Sequence, residues 1–449
     1  MVQSSFSTME ADVGNSEKEK NEHSETALGR RKKWNHRRNL IAFWFLGLCN
    51  NFAYVVMLSA AHDILKEEEN TSGTNETSNA TTVSPTFTTS ANEDEFLTCN
   101  TIGTGAILLA DILPTLIIKL TAPFYIQRLP YWFKTLLVVV FAIGSFVTVG
   151  LAHQVWLSIL GVVFASCSAG LGEVTFLSLS TFYDRNVVST WSSGTGGAGV
   201  GGALAYAGLT SAGLSARNTV FVLISVPILM SISYFIILTK PENQLHQLNN
   251  FCSTSSLVPK DDGVPLLSES ESKSTQLSLA EKLRLLPPLL KYMIPLTVVY
   301  FAEYFINQGL HELLYFNSIF LSKAEQYRWY QVDYQVGVFI SRSSVNIIQI
   351  KHLWILPILQ LVNMALLLSQ VFYRFIPNVW VIFAIVLWEG LLGGGAYVNT
   401  FYKMSKEVPA QHREFSLGAA TLGDSVGIAL AGAAAIPSHD HICTLRIKM

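Results

Sequence analysis

The dominant feature of the chain is a series of long apolar segments separated by short polar ones. A stretch of ~18 or more apolar residues is long enough to cross a bilayer as a helix. Half of the 449 residues are hydrophobic and only 14% are charged, whereas soluble domains carry about 25% charged residues. The sequence therefore predicts an all-α polytopic membrane protein whose first partner is the lipid bilayer. The eleven predicted spans lie near 39–61, 101–123, 135–152, 155–180, 191–212, 218–238, 291–312, 329–350, 353–373, 377–400 and 414–437.

Two independent signals orient the first span. The basic run RRKKWNHRR at 30–38 precedes it, and basic flanks stay in the cytosol, so residues 1–38 are interpreted as a disordered cytosolic tail with a basic end. The loop at 62–100 carries three Asn-x-Ser/Thr sequons, and asparagines in such sequons are glycosylated on the lumenal side. An unmodified polar loop is the alternative. The predicted glycosylation sites are Asn70, Asn75 and Asn79.

A polar segment at 239–290 divides the spans into six and five. It is rich in Ser, Asn and charge without periodicity, which indicates a flexible cytosolic linker between an N-terminal bundle at 39–238 and a C-terminal bundle at 291–437. A short tail at 438–449 follows. Near the end of the linker, SLAE forms a capping box that predicts a short helix ended by Pro287–Pro288. Asp262, Leu266 and Leu267 fit the acidic dileucine pattern that clathrin adaptor complexes read.

Polar residues are sorted among the spans. A charged side chain at mid-bilayer costs roughly 2.5–3.5 kcal/mol on insertion scales, so it should face protein or water. Spans 3, 6 and 9 contain no charged residue and are predicted to face lipid, whereas spans 1, 4, 7 and 10 are predicted to line a hydrated cavity. The candidate cavity residues are Asn50, Asn51, Asp111, Lys119, Glu173, Glu303, Asn307, His311, Arg342, Glu389, Asn399 and Asp424.

The polar pattern repeats from one half to the other. Span 4 ends in STFYDRN and span 10 in NTFYKMS, and tandem amides occur in both span 1 and span 7. The repeat suggests two parallel halves of six and five spans. Two such halves around a midplane site are the architecture of the major facilitator transporters.

Several of these residues allow two interpretations. Glu303, Asn307 and His311 are spaced four residues apart, so they form one stripe that either faces the cavity or bonds a neighbouring helix. Lys119 and Arg342 lie on corresponding spans and could bracket a small anionic substrate, since Arg binds phosphate bidentately. Alternatively, both reach the interface from near a helix end. The carboxylates Glu173, Glu389 and Asp424 are candidates for proton binding.

Other motifs carry less weight. The run from Gly194 to Gly199 matches G-x-G-x-x-G, but no strand precedes it, so close helix packing through Gly197 and Gly201 is the better interpretation. No H-E-x-x-H or nucleophile elbow is present, and the first glycine of G-x-G-D is missing before Asp424. We expect no enzymatic activity, no cofactor, no metal site and no nucleic acid partner.

The chain resembles the battenin family of multi-pass membrane proteins. The resemblance covers nearly every span and is carried by long matching stretches: GLCNNFAYVVMLSAAHDIL (47–65), GLGEVTFLSL (170–179), WSSGTGGAG (191–199), VVYFAEYFINQGL (298–310) and EGLLGGGAYVNTF (389–401). The family is linked to neuronal ceroid lipofuscinosis. The resemblance implies a location in lysosomal and late endosomal membranes. It also implies roles in lysosomal pH balance, endolysosomal trafficking and clearance of glycerophosphodiesters.

Two functions from different classes follow. The first is a lysosomal transporter for a small anionic metabolite, with the polar spans as its pathway. The second is a trafficking scaffold that recruits adaptors through the linker. The sorting of charge among the spans favours the transporter, because a scaffold has no use for a polar interior.

Overall fold

The computed structural model describes residues 29–57, 104–240 and 277–448, with gaps at 318, 320 and 322. All regular secondary structure in these ranges is helical, and eleven helices correspond to the eleven predicted spans. The helices are α1 (Gly29–Met57), α2 (Thr104–Tyr125), α3 (Tyr131–Gly150), α4 (Val155–Ser180), α5 (Asn186–Ser211), α6 (Ala216–Ile237), α7 (Leu279–Leu313), α8 (Lys323–Ser343), α9 (Ile355–Tyr373), α10 (Val379–Glu407) and α11 (Ala410–Ala420, continued by Leu422–Lys448). Within the described residues, eight helices are long and apolar enough by length and composition to cross a membrane. The prediction of an all-α polytopic fold is confirmed.

Several predicted boundaries are wrong, mostly because helices continue past the apolar segments. Helix α8 is the exception at its end, since it stops at Ser343 although span 8 was predicted to reach 350. Helix α1 begins at Gly29, so the basic residues 30–38 are helical; Arg and Lys are good helix formers. Helix α11 extends to Lys448, into the segment predicted as a short tail. Helix α7 begins at Leu279 and passes through Pro287 and Pro288, which were expected to end it. Helices near a membrane tolerate proline because other groups bond the carbonyl that it frees.

The capping box that opens α7 is formed as predicted. The Ser278 hydroxyl accepts a bond from the Glu281 amide at 3.2 Å, and the Ser278 amide donates to Glu281 Oε2 at 2.7 Å. Two backbone donors at the helix start are thereby satisfied. Helix α7 therefore starts well before its apolar part, inside the segment that was predicted to be linker.

Helix contacts reveal the two halves. Between the halves, α2 packs on α11 and α5 packs on α8. These two contacts are equivalent, because α8 is the counterpart of α2 in the second half and α11 is the counterpart of α5. Within the halves, α2 packs on α4 as α8 packs on α10. The arrangement is the predicted pair of bundles, with α1–α6 in one and α7–α11 in the other. Residues brought to the centre come from α2, α4, α5, α7, α8, α10 and α11.

The helices predicted to face lipid include the most exposed ones. In α6 and α9 only 39% of the most apolar stretch is buried, against 67% in α4 and 56% in α10. Helix α3, also predicted to face lipid, does not follow the pattern, since it is 50% buried and α7 is 44% buried. Large apolar side chains project outward, such as Ile236 at 66% exposed and Val362 at 62%. An apolar outer surface on a helix without charged residues is suited to lipid.

Glycines set the closest helix contacts, although not the two predicted ones. An added side-chain carbon at Gly194 would strike the Trp44 carbonyl of α1, and one at Gly196 would lie 3.0 Å from Phe339 Cα of α8. At Gly197 the nearest atoms are ring carbons at 3.5 Å, and at Gly201 the nearest is a ring carbon at 3.9 Å. The prediction of close packing by α5 was therefore right, but it chose the wrong face of the helix.

The two bundles touch at the end where α1 begins, which is the predicted cytosolic end. Tyr131 of α3 donates to Glu414 Oε1 of α11 at 2.6 Å, and Ser178 of α4 donates to the Glu414 carbonyl at 3.1 Å. Lys282 of α7 donates to the Phe124 carbonyl of α2 at 2.8 Å. These bonds join residues of both halves and close the interface at this end.

Candidate functional site

The first polar cluster is an ion triad that joins the two bundles. Lys119 Nζ of α2 lies 2.6 Å from Glu173 Oε2 of α4 and 2.8 Å from Asp424 Oδ1 of α11. Lys119 is only 3% exposed, so it does not extend to the interface. Ser425 donates a further bond to Asp424 Oδ1 at 2.9 Å. Lys119 is thus paired with one carboxylate from each half, two carboxylates to one cation.

A second cation, Arg342, lies at the contact between α8 and α5. Its Nη1 donates to Thr195 Oγ1 of α5 at 2.6 Å, and its Nη2 donates to the Tyr300 hydroxyl of α7 at 2.9 Å. The guanidinium also lies 4.2 Å from the centre of the Tyr397 ring of α10. The side-chain stem passes over Gly196, where a larger residue would approach Arg342 Cδ at 3.3 Å.

The partners of Arg342 are all uncharged. Among the described residues, no carboxylate forms an ion pair with Arg342, and its Nε has no hydrogen-bond partner. The residue stays partly accessible, whereas Thr195, Tyr300 and Tyr397 are buried. Arg342 is therefore a cation with open donor capacity between the bundles, in contrast to the neutralised Lys119.

Tyr397 connects the two cations. Its hydroxyl donates to Glu173 Oε1 at 2.6 Å and accepts a bond from Trp191 Nε1 at 3.2 Å, while its ring packs against Arg342. The triad and the arginine therefore share one buried aromatic residue.

The stripe on α7 forms a separate cluster inside the C-terminal bundle. Asn307 Nδ2 donates to Glu389 Oε1 of α10 at 3.0 Å, and His311 Nε2 lies 3.4 Å from Glu389 Oε2. Tyr334 of α8 donates to Glu303 Oε1. Glu303, Asn307, His311 and Glu389 are each at most 2% exposed. The stripe thus bonds α8 and α10, which was the second of its two interpretations; that it also lines a water-filled cavity stays a prediction.

The backbone of α7 changes its winding at this stripe. The α-helix ends at Phe305, a π turn covers Ile306–Leu310, and a 3-10 turn covers His311–Leu313. A π turn inserts one residue per turn and rotates the following side chains relative to an α-helix, and such turns are frequent at functional sites. His311 therefore does not continue the stripe with the spacing of an ideal α-helix.

The remaining candidate residues have no bond to the ion triad, Arg342 or Glu389 among the contacts of the described residues. Asn50 of α1 donates to the Ala169 carbonyl of α4 at 3.1 Å and contacts Asn51 at 3.3 Å. Asp111 of α2 is fully buried, and neither carboxylate oxygen has a hydrogen-bond partner among the described residues. Asn399 of α10 accepts a bond from the Ile350 amide at 2.7 Å, so it holds the segment that follows α8.

Some predicted sites lie outside the described residues. These are the glycosylation sites Asn70, Asn75 and Asn79 and the sorting signal Asp262, Leu266 and Leu267. They stay predictions. Among the residues that are described, no group of three His, Cys, Asp or Glu side chains could hold a metal ion.

Sequence reasoning missed the uncharged residues of the site. Thr195, Tyr300, Tyr334 and Tyr397 contact the charged groups, but such residues are compatible with an apolar span and attract no notice there. A usable signal existed for Tyr300, which lies three residues before Glu303 and so on the same helix face. Tyr334 and Tyr397 lie eight residues from Arg342 and Glu389 on their helices, the same spacing that separates Glu303 from His311. Thr195 has no signal of this kind.

The family model and the sequence relatives that match the chain all belong to one family. The family model described as CLN3 protein matches residues 41–445. Battenin of Canis lupus familiaris is 49% identical over 409 residues, which are 91% of this chain and 92% of that protein. Protein BTN1 of Yarrowia lipolytica is 36% identical over 413 residues, or 91% of this chain and 95% of that protein.

Solved structures with the same fold are transporters of low sequence identity. The human organic anion transporter MFSD10 aligns with a TM-score of 0.52 at 11% identity, covering 91% of this chain and 95% of that one. A bacterial homologue of the human lysosomal transporter Spinster, in an inward-facing and unoccupied conformation, aligns with a TM-score of 0.50 at 13% identity, covering 89% and 81%. The likeness establishes a major-facilitator-like architecture.

Proposed function

The chain belongs to the CLN3 family of battenin relatives, and on that premise we propose that it moves a small organic anion across the lysosomal and late endosomal membrane. The anion class that we propose is the glycerophosphodiesters. Membership of the family and the transporter-like fold are established; the substrate, the location and the contribution to lysosomal pH balance are the proposal.

The observation that carries the proposal is the environment of Arg342. A guanidinium presents five donors in a planar fork, and Thr195 and Tyr300 take up only two of them. A phosphodiester has two unesterified oxygens that accept two parallel bonds from such a fork. Because no carboxylate of the described residues competes for Arg342, an anionic ligand would supply the charge that the protein leaves out.

Lys119 has a different part in the proposal. Its charge is already matched by Glu173 and Asp424, so an anion would have to displace a carboxylate in order to bind it. Lys119 and Arg342 were expected to bind the anion together, one from each half; in the proposal Arg342 alone binds it. We assign Lys119 to holding the bundles together in this conformation, and Arg342 to the substrate.

The position of Arg342 also suits alternating access. Transporters of this architecture rock one bundle against the other around a site between them. Arg342 is supplied by the C-terminal bundle, and its partner Thr195 by the N-terminal bundle. An anion held there would contact both halves. The human organic anion transporter shares the fold, and an anionic substrate is the class that Arg342 favours here.

The test is substrate flux through purified protein in liposomes. The probe is labelled glycerophosphoglycerol, and the variants are Arg342→Gln and Arg342→Lys. Hydrogen bonds to charged groups contribute about 1.5–3 kcal/mol, so loss of the fork should lower flux at low substrate roughly 10–100-fold. Arg342→Lys keeps the charge without the fork and should fall between Arg342→Gln and the unaltered protein. Arg128→Gln, which removes an exposed arginine between α2 and α3, is the matched control.

Two results would overturn the proposal. One is absence of glycerophosphoglycerol flux in the unaltered protein although the protein is monodisperse and oriented. The other is flux by Arg342→Gln equal to that of Arg128→Gln. Flux that falls equally when Lys119 or Arg342 is replaced would instead indicate that both cations bind the substrate.

Delivery to the lysosome is assigned to the linker. We propose that clathrin adaptor complexes read Asp262, Leu266 and Leu267, and that the sequons in the loop at 62–100 are glycosylated. Replacing both leucines by alanine should shift the protein to the cell surface while its flux in liposomes is unchanged. Deletion of 241–277 distinguishes a transporter from a trafficking scaffold. A transporter should keep its flux once it is delivered to the lysosome, whereas a scaffold should lose its function even there.

A further inference from the structure

The buried carboxylates fall into two groups when their cations are counted. Glu173 and Asp424 share Lys119. Glu303 and Glu389 have no Lys or Arg within ion-pair distance among the described residues, and only His311 approaches Glu389. An isolated carboxylate in an apolar interior is strongly disfavoured in its ionised form. Two of them in one cluster, with no Lys or Arg within ion-pair distance, favour at least one bound proton.

The unsatisfied hydrogen-bond acceptors of the cluster also indicate a bound proton. Three buried acceptors have no donor among the described residues: Glu303 Oε2, Asn307 Oδ1 and Glu389 Oε2. The Asn307 Nδ2 donates to Glu389 Oε1 at 3.0 Å and to the backbone carbonyl of Glu303 at 3.1 Å. Buried acceptors of this kind are normally satisfied. A carboxylic acid O–H is the donor that the cluster lacks, so a proton on either glutamate would supply one of the missing hydrogen bonds.

His311 extends the site by a second proton carrier. Its Nδ1 lies 3.4 Å from Gln331 Nε2, and an amide nitrogen only donates, so Nδ1 acts as the acceptor and Nε2 carries the hydrogen of the neutral ring. Nε2 lies 3.4 Å from Glu389 Oε2 but makes no hydrogen bond with it. The imidazole and the carboxyl are thus neighbours, and a small shift of either would let a proton pass between them.

The surroundings of the pair contain other titratable groups, which any pH response must take into account. Glu303 is also within the electrostatic influence of Arg342 and Asp424, and His311 within that of Asp333. Helix α9, which packs on the π turn, has no charged residue. The groups on the neighbouring helices are Tyr304 of α7, Tyr330, Asp333, Tyr334 and Arg342 of α8, Asp424 of α11, and Asp111 of α2, which packs on the π turn.

We propose that Glu303 and Glu389, with Asn307 bonded to Glu389 and His311 beside it, form a proton-binding site in the C-terminal bundle, separate from the contacts of Arg342 with α5. Proton binding at this site is independent of the proposed substrate. Coupling of that proton to substrate movement rests on the proposed function: the site and Arg342 are both held by α7 and α8, so a rearrangement of α8 when an anion binds would change the environment of the pair.

The first arm of the test needs no substrate. Infrared spectroscopy of the purified protein detects the C=O stretch of protonated carboxylic acids. We expect the double variant Glu303→Gln/Glu389→Gln to lose a component of that band, and each single variant to shift the pH at which it titrates. Glu407→Gln, at the exposed end of the same α10, is the matched control and should leave the component unchanged. Retention of the component in the double variant, or its loss only in Asp111→Asn, would overturn the site.

The second arm separates coupling from transport. Liposomes loaded with a pH-sensitive dye report proton movement while labelled glycerophosphoglycerol reports substrate. We expect proton and substrate to move together in the unaltered protein. Glu389→Gln should keep exchange of labelled for unlabelled substrate and lose the response to a pH gradient. Substrate movement without proton movement in the unaltered protein would overturn coupling. If no substrate moves at all, the proposed function fails, and the infrared arm alone decides the proton site.

Discussion

Replacement of Lys119 by methionine should be among the most destabilising single changes in the interior. Methionine has nearly the length of lysine without its charge, so packing is largely kept. Glu173 and Asp424, whose side chains are 11% and 6% exposed, would then face each other without a cation. Removing one partner of a buried ion pair typically costs about 3–5 kcal/mol because the remaining charge is left uncompensated. We expect a loss in that range, and a protein that is weakened where α2, α4 and α11 meet.

The measurement is the free energy of unfolding in detergent, followed by tryptophan fluorescence during denaturant titration. Lys291→Met is the matched control, since Lys291 pairs with Glu407 at 3.6 Å while 63% of its side chain is exposed, and such pairs contribute about 0–1 kcal/mol. Adding Glu173→Gln and Asp424→Asn to Lys119→Met should recover most of the loss, because no uncompensated charge then remains. A cost for Lys119→Met no larger than that of Lys291→Met, or no recovery in the triple variant, would refute the reasoning.

Two further predictions concern packing and loop order. Gly390→Ala should cost about 1–3 kcal/mol of unfolding free energy, because the added carbon would strike the Tyr334 carbonyl of α8. Gly395→Ala should instead stabilise by about 0.4–1 kcal/mol, because nothing lies within 4 Å of its added carbon and alanine favours a helix over glycine. Equal effects of the two variants in thermal unfolding would contradict the contact. Asn399→Ala should cost about 1–3 kcal/mol of unfolding free energy and speed hydrogen exchange at Ile350, because the Ile350 amide loses its acceptor. Asn399→Asp keeps an acceptor oxygen and should restore protection. Unchanged exchange in Asn399→Ala would show that the bond is not needed.

The sequence was sufficient for the architecture because hydropathy and charge sorting act on whole helices. A helix without charged residues can face lipid wherever its neighbours lie, and α6 and α9 show the exposure that this predicts. The division into six and five spans also follows from the linker alone. Helix ends were less predictable, because helical propensity and capping carry α1, α7 and α11 beyond their apolar parts.

The site was harder to predict from the sequence, because the residues that contact one another there are distant in the chain. Lys119 and Asp424 are 305 residues apart, so no local pattern reveals that the lysine is neutralised rather than extended to the interface. The π turn at Ile306–Leu310 likewise depends on how α7 packs, and it alters the spacing that was used to align Asn307 with His311. The charged residues were found, but which of them keep a free charge could be learned only from the structure.

The most direct test of the transport account is an experimental structure of the protein with bound glycerophosphoglycerol. The account predicts density for the phosphate within hydrogen-bond distance of the Arg342 guanidinium, between α5 and α8, with Lys119 still paired to Glu173 and Asp424. Phosphate density at Lys119 with the triad broken, or ligand bound away from both bundles' facing surfaces, would contradict it.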